Sequence, residues 1–352
     1  MNIKDLVRKN ILELTPYSSA RSLNLNGILL DANENPYCNM EIVEPELEIN
    51  RYPDPYHTKM RNRLSEYLSI NSENIVFGAG SDELIDLIIR IFCEPGKDNI
   101  IIPNPTYGMY EVAAKINDIK VNYFDLSDNF QISQENFNKS KNANSKILFL
   151  CSPNNPTGNL LEKEMVIKII KSFNGIIVID EAYIDFCNSE FSFINELSNF
   201  NNVILLRTFS KAWGLAGLRL GYALASKEII NIILNVKLPY NIGSLVNDLF
   251  FKVMEKEEIR RKNVNSIITE RNRLYKELIK INEISKVYHS DANYILFQAD
   301  KHLELFKYLI ANGIVIRDRS TQIKDALRVS IGTLEENNSF LMNIRKFYET
   351  TT

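Results

Sequence analysis

Four segments of this sequence end an apolar run in residues able to do chemistry. Leu206-Arg207-Thr208-Phe209-Ser210-Lys211-Ala212-Trp213 closes with two hydroxyls and a lysine, and Arg219 follows eight residues after Lys211 in a glycine-spaced stretch. Most lysines are solvated surface charges. Lys211 instead has Phe209, Ala212 and Trp213 beside it in the chain, and desolvation lowers a lysine's pKa and makes its amine nucleophilic. Thr208, Ser210 and Arg219 carry groups that suit a phosphate next to that amine. The second run, Ile176-Ile177-Val178-Ile179, ends in Asp180-Glu181-Ala182-Tyr183. An acid buried at a strand end needs a cationic partner or it takes up a proton, and a ligand can supply that cation. The third segment, Phe77-Gly78-Ala79-Gly80-Ser81-Asp82-Glu83, is a glycine-rich turn into a helix. Its glycines permit a tight bend, and the N–H groups at the helix start can hold a phosphate, unless Ser81 or Asp82 serves as a plain helix cap. In the fourth, Cys151-Ser152-Pro153-Asn154-Asn155-Pro156-Thr157-Gly158, two prolines fix a turn that aims an amide side chain.

Several rival chemistries fail on spacing. A dinucleotide fingerprint GxGxxG needs a small residue where Glu83 stands, and the next strand candidate ends in Pro103-Asn104 instead of an acid. A P-loop is missing, since Gly96-Lys97 is followed by Asp98 and lacks the upstream glycine. The three histidines, His57, His289 and His302, show neither HExxH nor HxH spacing, so no metal site is expected. Cys38, Cys93, Cys151 and Cys187 are widely separated without a CxxC pair, which speaks for a reducing compartment and against a disulfide framework or zinc ribbon. A net charge of −3, with 45% hydrophobic and 24% charged residues, is the profile of a soluble globular protein and not of a composition-driven polyanion binder. Residues Met1 to Asn10 lack the apolar core of a signal peptide, and no apolar run approaches the roughly 18 residues a spanning helix needs, so a cytoplasmic location is expected.

The elements that must position these groups are legible in outline. The 352 residues suffice for about two domains. From about residue 74 to 225, short apolar runs alternate with amphipathic stretches, the pattern of an α/β domain with a mainly parallel sheet. Strands are predicted at Asn74–Phe77, Asn99–Ile102, Lys120–Phe124, Ile147–Cys151, Ile176–Ile179, Val203–Thr208 and Leu220–Ala225, and helices at Asp82–Phe92 and Glu162–Phe173. Beyond about residue 226 long charged helices take over, notably Leu249–Lys280, followed by strands near Tyr294–Phe297, Ile314–Arg317 and Ala326–Ile331. Residues 1–45 show little strand signal and are expected to pack on that second unit. In a parallel α/β sheet, ligands bind outside the carboxyl ends of the strands, where all four segments would lie.

Taken together the segments resemble the fold-type I aminotransferases, enzymes that use pyridoxal 5′-phosphate. The resemblance runs through Asp31-Ala32-Asn33-Glu34-Asn35-Pro36, Arg51-Tyr52-Pro53-Asp54-Pro55, the glycine turn, Pro105-Thr106-Tyr107-Gly108-Met109-Tyr110, Ser152 to Gly158, Asp180 to Tyr183, Ser210 to Gly221, and Arg328-Val329-Ser330-Ile331-Gly332-Thr333. It implies a large cofactor domain, residues 46–245, with a mainly parallel seven-stranded sheet flanked by helices. A smaller α+β domain would be formed by both chain ends, 1–45 and 246–352. Within that family the sequence is most similar to the histidinol-phosphate aminotransferases, through Leu30 to Pro36, Pro105 to Tyr110 and Gly313-Ile314-Val315-Ile316-Arg317-Asp318.

The resemblance also assigns roles. Lys211 would bond the cofactor and shuttle the proton; Asp180 would pair with the pyridine nitrogen, making the ring an electron sink. Tyr183 and Asn155 would hydrogen-bond the phenolic oxygen, and Tyr107 would stack on the ring. Gly80, Ser81, Asp82, Thr208, Ser210 and Arg219 would hold the phosphate, with Tyr52 reaching it from the other subunit of a homodimer. Arg328 would take the substrate's acidic group, while Arg317 and Tyr17 are candidates for further substrate phosphate contacts, with Asn155 beside them; a surface ion pair with Asp318 or Asp325 is the alternative for Arg317. The guanidinium fork fits both carboxylate and phosphate. The implied reaction passes the amino group of L-histidinol phosphate to 2-oxoglutarate, giving imidazole-acetol phosphate and L-glutamate. A threonine-phosphate decarboxylase and an aromatic amino-acid aminotransferase are the enzymatic alternatives. A cofactor-sensing regulator would carry an additional N-terminal DNA-binding domain, and the residues before Asp31 have no basic helix-turn-helix pattern. The chain departs from the family at Pro16-Tyr17-Ser18-Ser19-Ala20-Arg21, where Pro-Tyr-x-Pro-Gly is frequent.

Overall fold

A computed structural model describes residues 28–31, 33–35 and 52–351. Seven strands, β2 (Ile75–Gly78), β3 (Asn99–Asn104), β4 (Lys120–Asp125), β5 (Ser145–Cys151), β6 (Ile176–Asp180), β7 (Val203–Thr208) and β8 (Gly221–Ala225), form one sheet in the order β2-β8-β7-β6-β5-β3-β4. Only β8 runs antiparallel to its neighbours. The apolar runs form these strands because both faces of the sheet are covered: along β6, Ile177 and Ile179 enter one core and Val178 the other, the unbroken hydrophobic pattern of a strand buried on both sides. Helices such as Ser81–Phe92 and Lys163–Ser172 supply that cover.

A separate four-stranded antiparallel sheet is built from β9 (Ile284–Val287), β10 (Tyr294–Ala299), β12 (Arg317–Asp318) and β13 (Ala326–Ser330), in the order β12-β13-β10-β9. Beside it β1 (Ile28–Leu29) pairs in parallel with β11 (Ile314–Val315). Its core joins Leu30 to Ile267, Tyr294, Leu327 and Phe340, and it also takes in Tyr183, Phe186 and Ala212 from loops of the large sheet. The loops that carry the candidate site are thus anchored in both cores.

Two expectations need correction. The stretch 249–280 is not one helix: Ser244–Met254 and Glu257–Leu278 are separated at Glu255–Lys256. Phe250, Val253 and Met254 pack in a core of the large sheet and Val264, Ile267 and Leu274 in that of the small sheet, so the two pieces serve different partners. Glu257 and Glu258 favour a fresh helix start by complementing its dipole. The helix Ser244–Met254, near whose start the expected domain boundary falls, packs on the large sheet. The run 314–317 is split as well, with Ile314–Val315 joining β1 and Arg317 turning to β13.

Candidate active site

The parallel strands deliver their carboxyl ends to one edge of the large sheet. The register sets Gly78 and Thr208 on either side of Gly221, and Asp180 beside Cys151. A cavity of about 290 Å³ opens there toward the small sheet; it is lined by Ser81, Asp82, Tyr107, Asn155, Asp180, Tyr183, Thr208, Ser210, Lys211, Arg219, Arg317 and Arg328. Gly80 and Tyr52 are outside this lining. Tyr52 is 80% exposed, with its ring stacked on Tyr240 at 4.4 Å. Tyr17 lies outside the described residues.

At the floor, Asp180 is 2% exposed. Its Oδ2 accepts the Tyr110 hydroxyl at 2.8 Å and its Oδ1 the Ala182 N–H at 3.0 Å. Burial raises its pKa to about 6 against the opposing pull of these donors. The adjacent Glu181 has a different fate: Arg207 donates to its Oε2 from Nε at 2.9 Å and from Nη2 at 2.8 Å, and the Phe193 N–H binds its other oxygen. Of the two acids that end β6, one is neutralised inside the protein. The other faces the cavity with no ion-pairing side chain among the described residues, a position suited to a ligand's ring N–H cation.

Lys211 reaches the same cavity, with Nζ 5.7 Å from the centre of the Tyr183 ring. Burial, helped by the positive charge of Arg328, lowers its pKa to about 8, so about a tenth of the amine is neutral and nucleophilic near pH 7. Phe209 and Ala212 are buried next to it. Trp213 is not part of the lining; it packs on Phe209 at 5.3 Å and lies under the Arg260 guanidinium at 5.0 Å. The Tyr183 hydroxyl accepts from Asn33 Nδ2 at 3.1 Å and from Asn155 Nδ2 at 3.5 Å.

One end of the cavity gathers hydroxyl and guanidinium groups of the kind that suit a phosphate. Thr208 Oγ1 and Ser210 Oγ lie 3.0 Å apart, the helix Ser81–Phe92 begins beside them, and Arg219 Nη2 pairs with Asp82 Oδ2 at 3.1 Å. Tyr107 donates to the other Asp82 oxygen at 3.1 Å. Glycine is required at two points of this cradle. A Cβ on Gly80, whose φ is +80°, would sit 2.7 Å from Arg219 Nη2, and one on Gly221 would sit 2.5 Å from the Ser81 nitrogen. The obstacle at Gly221 is backbone, so relief requires the turn itself to move. Gly221→Ala is therefore expected to cost about 1–3 kcal/mol in stability and to weaken binding of a phosphorylated ligand. Thermal unfolding and a binding titration check both; an unchanged affinity would show that the turn is not held by this contact.

The opposite end is cationic. Arg317 and Arg328 occupy directly paired positions on β12 and β13, where like charges repel. Both are buried, and Arg328 is held by Asn155 Oδ1 at 2.6 Å, by the Asp31 carbonyl at 2.8 Å and over the Tyr294 ring at 5.1 Å. The surface ion pair considered for Arg317 gives way to this buried placement: Asp325 pairs with His302 at 3.2 Å, and Asp318 accepts from the Ser320 N–H. The sequence assigned no role to Arg319, which lines the cavity, or to Tyr110, which is buried and bonds Asp180. Arg319 follows Arg317 by two, a spacing that a strand reading places on the same face. The contact of Tyr110 with Asp180 spans 70 residues and has no local signal. Among the described residues, no group of three or more His, Cys, Asp or Glu could hold a metal ion.

The fold and this arrangement define an aminotransferase: the chain belongs to the family described as aminotransferase class I and II, whose model matches residues 26–344. Among its relatives is the histidinol-phosphate aminotransferase of Parabacteroides distasonis, 45% identical over 345 residues that cover 97% of each chain. The crystal structure of the histidinol-phosphate aminotransferase from Clostridium acetobutylicum is 28% identical, with a TM-score of 0.79 over 86% of this chain and 92% of that one. The Sinorhizobium meliloti histidinol-phosphate aminotransferase, solved in complex with pyridoxal 5′-phosphate, shares the fold with a TM-score of 0.84 at 19% identity, covering 97% and 98% of the two chains.

Proposed function

We propose that this chain transfers the amino group of L-histidinol phosphate to 2-oxoglutarate, with pyridoxal 5′-phosphate as cofactor, giving imidazole-acetol phosphate and L-glutamate in histidine biosynthesis. The observation that carries this reading is a single cavity joining a half-buried lysine, an acid without an ionic partner among the described residues and a pair of opposed arginines. When bound, the cofactor supplies an electron sink for the substrate's Cα.

The residues divide the work. Asp180 holds the ring N–H and keeps it protonated. Lys211 would hold the cofactor until the substrate's own amine displaces it, and the freed lysine amine would then carry the proton from the substrate Cα to the cofactor carbon on the far side of the substrate nitrogen. Tyr183 and Asn155 orient the phenolic oxygen, and Tyr107 covers the ring. Gly80, Ser81, Asp82, Thr208, Ser210 and Arg219 hold the phosphate. Arg328 and Arg317 take the acidic group of either substrate, a carboxylate in one half-reaction and a phosphate in the other, since the same planar donors fit both.

The reading includes a homodimer in which Tyr52 of each copy reaches the phosphate in the other; its exposure outside the cavity of its own chain, stacked on the likewise exposed Tyr240, supports this. It also includes a large domain that extends through Met254 and a cytoplasmic location. Free, buried Cys93 and Cys151 fit a reducing compartment, and no helix among the described residues is long and apolar enough to cross a membrane. Initial rates against 2-oxoglutarate with histidinol phosphate, phenylalanine, tyrosine and threonine phosphate test the substrate. Histidinol phosphate is expected to give the highest kcat/KM, and a preference for an amine lacking phosphate would overturn the assignment.

A further inference from the structure

Behind the glycine turn, outside the cavity lining, a line of polar contacts remains without a role in the reading above. Glu83 Oε2 accepts the backbone N–H of Ala79 and, at 2.8 Å, an N–H of Asn241. Asn241 Oδ1 in turn accepts from Lys237 Nζ at 3.1 Å. Lys237 is buried, and its ammonium also donates to the carbonyls of Pro55 at 2.7 Å and Leu238 at 3.2 Å.

Each contact has a consequence for the turn. Ala79 stands between Gly78 and Gly80, residues that have no side chains of their own to hold the loop, and the Gly80 N–H closes back on the Gly78 carbonyl at 2.8 Å. The Ala79 N–H is therefore the point at which a side chain can fix the direction of the turn. That side chain is a carboxylate, and a carboxylate close to a phosphate site repels the phosphate. Lys237 offsets this charge: Glu83 acts to raise the pKa of Lys237 against the larger lowering effect of burial, which places the two charges within electrostatic reach. The amide of Asn241 joins them, accepting from the cation and donating to the anion, as its two ends require.

We propose that Lys237, Asn241 and Glu83 form a positioning strut that holds the Gly78–Asp82 turn in its phosphate-binding shape and cancels the charge of Glu83 behind it. The proposal rests on the reading of that turn as the cofactor phosphate site. A strut acting through the turn affects a phosphorylated ligand selectively, whereas general loosening of the fold affects every ligand of the cavity.

The test is to titrate cofactor-free protein with pyridoxal 5′-phosphate and, separately, with pyridoxal, which lacks the phosphate. Asn241→Leu, Lys237→Met and Glu83→Ala should each weaken binding of the phosphorylated form by about tenfold or more. Their affinity for pyridoxal should stay within about twofold of the unsubstituted protein. Glu83→Gln keeps an acceptor for Ala79 and Asn241 and should restore most of the loss. Equal weakening toward both ligands, or no weakening, overturns the proposal. Arg219→Ala separates the two levels of the argument. If it lowers the preference for the phosphorylated form while Asn241→Leu does not, the strut is refuted and the phosphate site stands. If neither changes that preference, both fall. Should Lys237→Met fail to fold, Asn241→Leu and the pair of Glu83 variants decide the matter.

Discussion

Lys211→Ala should lower turnover by about four orders of magnitude or more, because one amine both bonds the cofactor and moves the proton, and residues that act as a unit lose nearly everything together. The cavity lining needs no rearrangement for this change, and removing a half-buried cation that has to be partly desolvated is not expected to unfold the chain. Borohydride treatment followed by mass measurement should then find no cofactor fixed to the variant. Retention of that linkage would refute the assignment of Lys211. The unsubstituted protein offers a pH test of the same group. With its pKa lowered to about 8, the neutral fraction of the amine, and with it the rate of capture of an added aldehyde, should fall about tenfold per pH unit below that value and level off above it. A profile still rising at pH 10 would mean that burial and Arg328 do not act on the lysine as described.

Asp180→Asn should reduce kcat by about 10²–10³-fold while leaving part of the cofactor affinity, since the isosteric amide keeps the packing and loses only the charge that stabilises a protonated ring nitrogen. Stability should move the other way. Burial raises the Asp180 pKa from 3.8 to about 6. At neutral pH the unfolded chain therefore keeps its carboxylate at no cost while the folded chain, without cofactor, disfavours it, an unfavourable contribution on the order of 3 kcal/mol. That contribution is largest above about pH 6 and fades as pH falls through 4, below which the carboxyl becomes protonated in both states. The cofactor-free variant is thus expected to melt no lower than the unsubstituted protein at pH 7.5, and any advantage should shrink at pH 5. Near-normal turnover would contradict the role of the acid, and a large drop in melting temperature would contradict the cost assigned to its burial.

These groups were legible in the sequence because parallel strands carry two signals at once. Ile147 to Cys151, Ile176 to Ile179 and Val203 to Leu206 are apolar without interruption since both faces are covered, and the polar residues that follow each run mark the edge where ligands bind. Asp180, Thr208, Ser210 and Lys211 follow from that rule. Arg328 does not; it sits inside β13, and only the resemblance to aminotransferases singled it out. Partnerships were hidden altogether. Nothing local distinguishes Asp180 from Glu181, and their opposite roles depend on Tyr110, brought by the helix Met109–Ile116, and on Arg207 of β7. The break between Met254 and Glu257 was equally illegible: the helical pattern continues through it, and only the two separate cores decide that the chain must turn there.

The most direct test of the central claim is a mass balance on the purified, cofactor-loaded protein supplied with L-histidinol phosphate and 2-oxoglutarate. The account predicts one glutamate and one imidazole-acetol phosphate for each histidinol phosphate consumed, with no carbon dioxide released and no consumption when 2-oxoglutarate is withheld beyond a single equivalent per site. Carbon dioxide release from threonine phosphate without any need for 2-oxoglutarate, together with failure to form glutamate from histidinol phosphate, would contradict it.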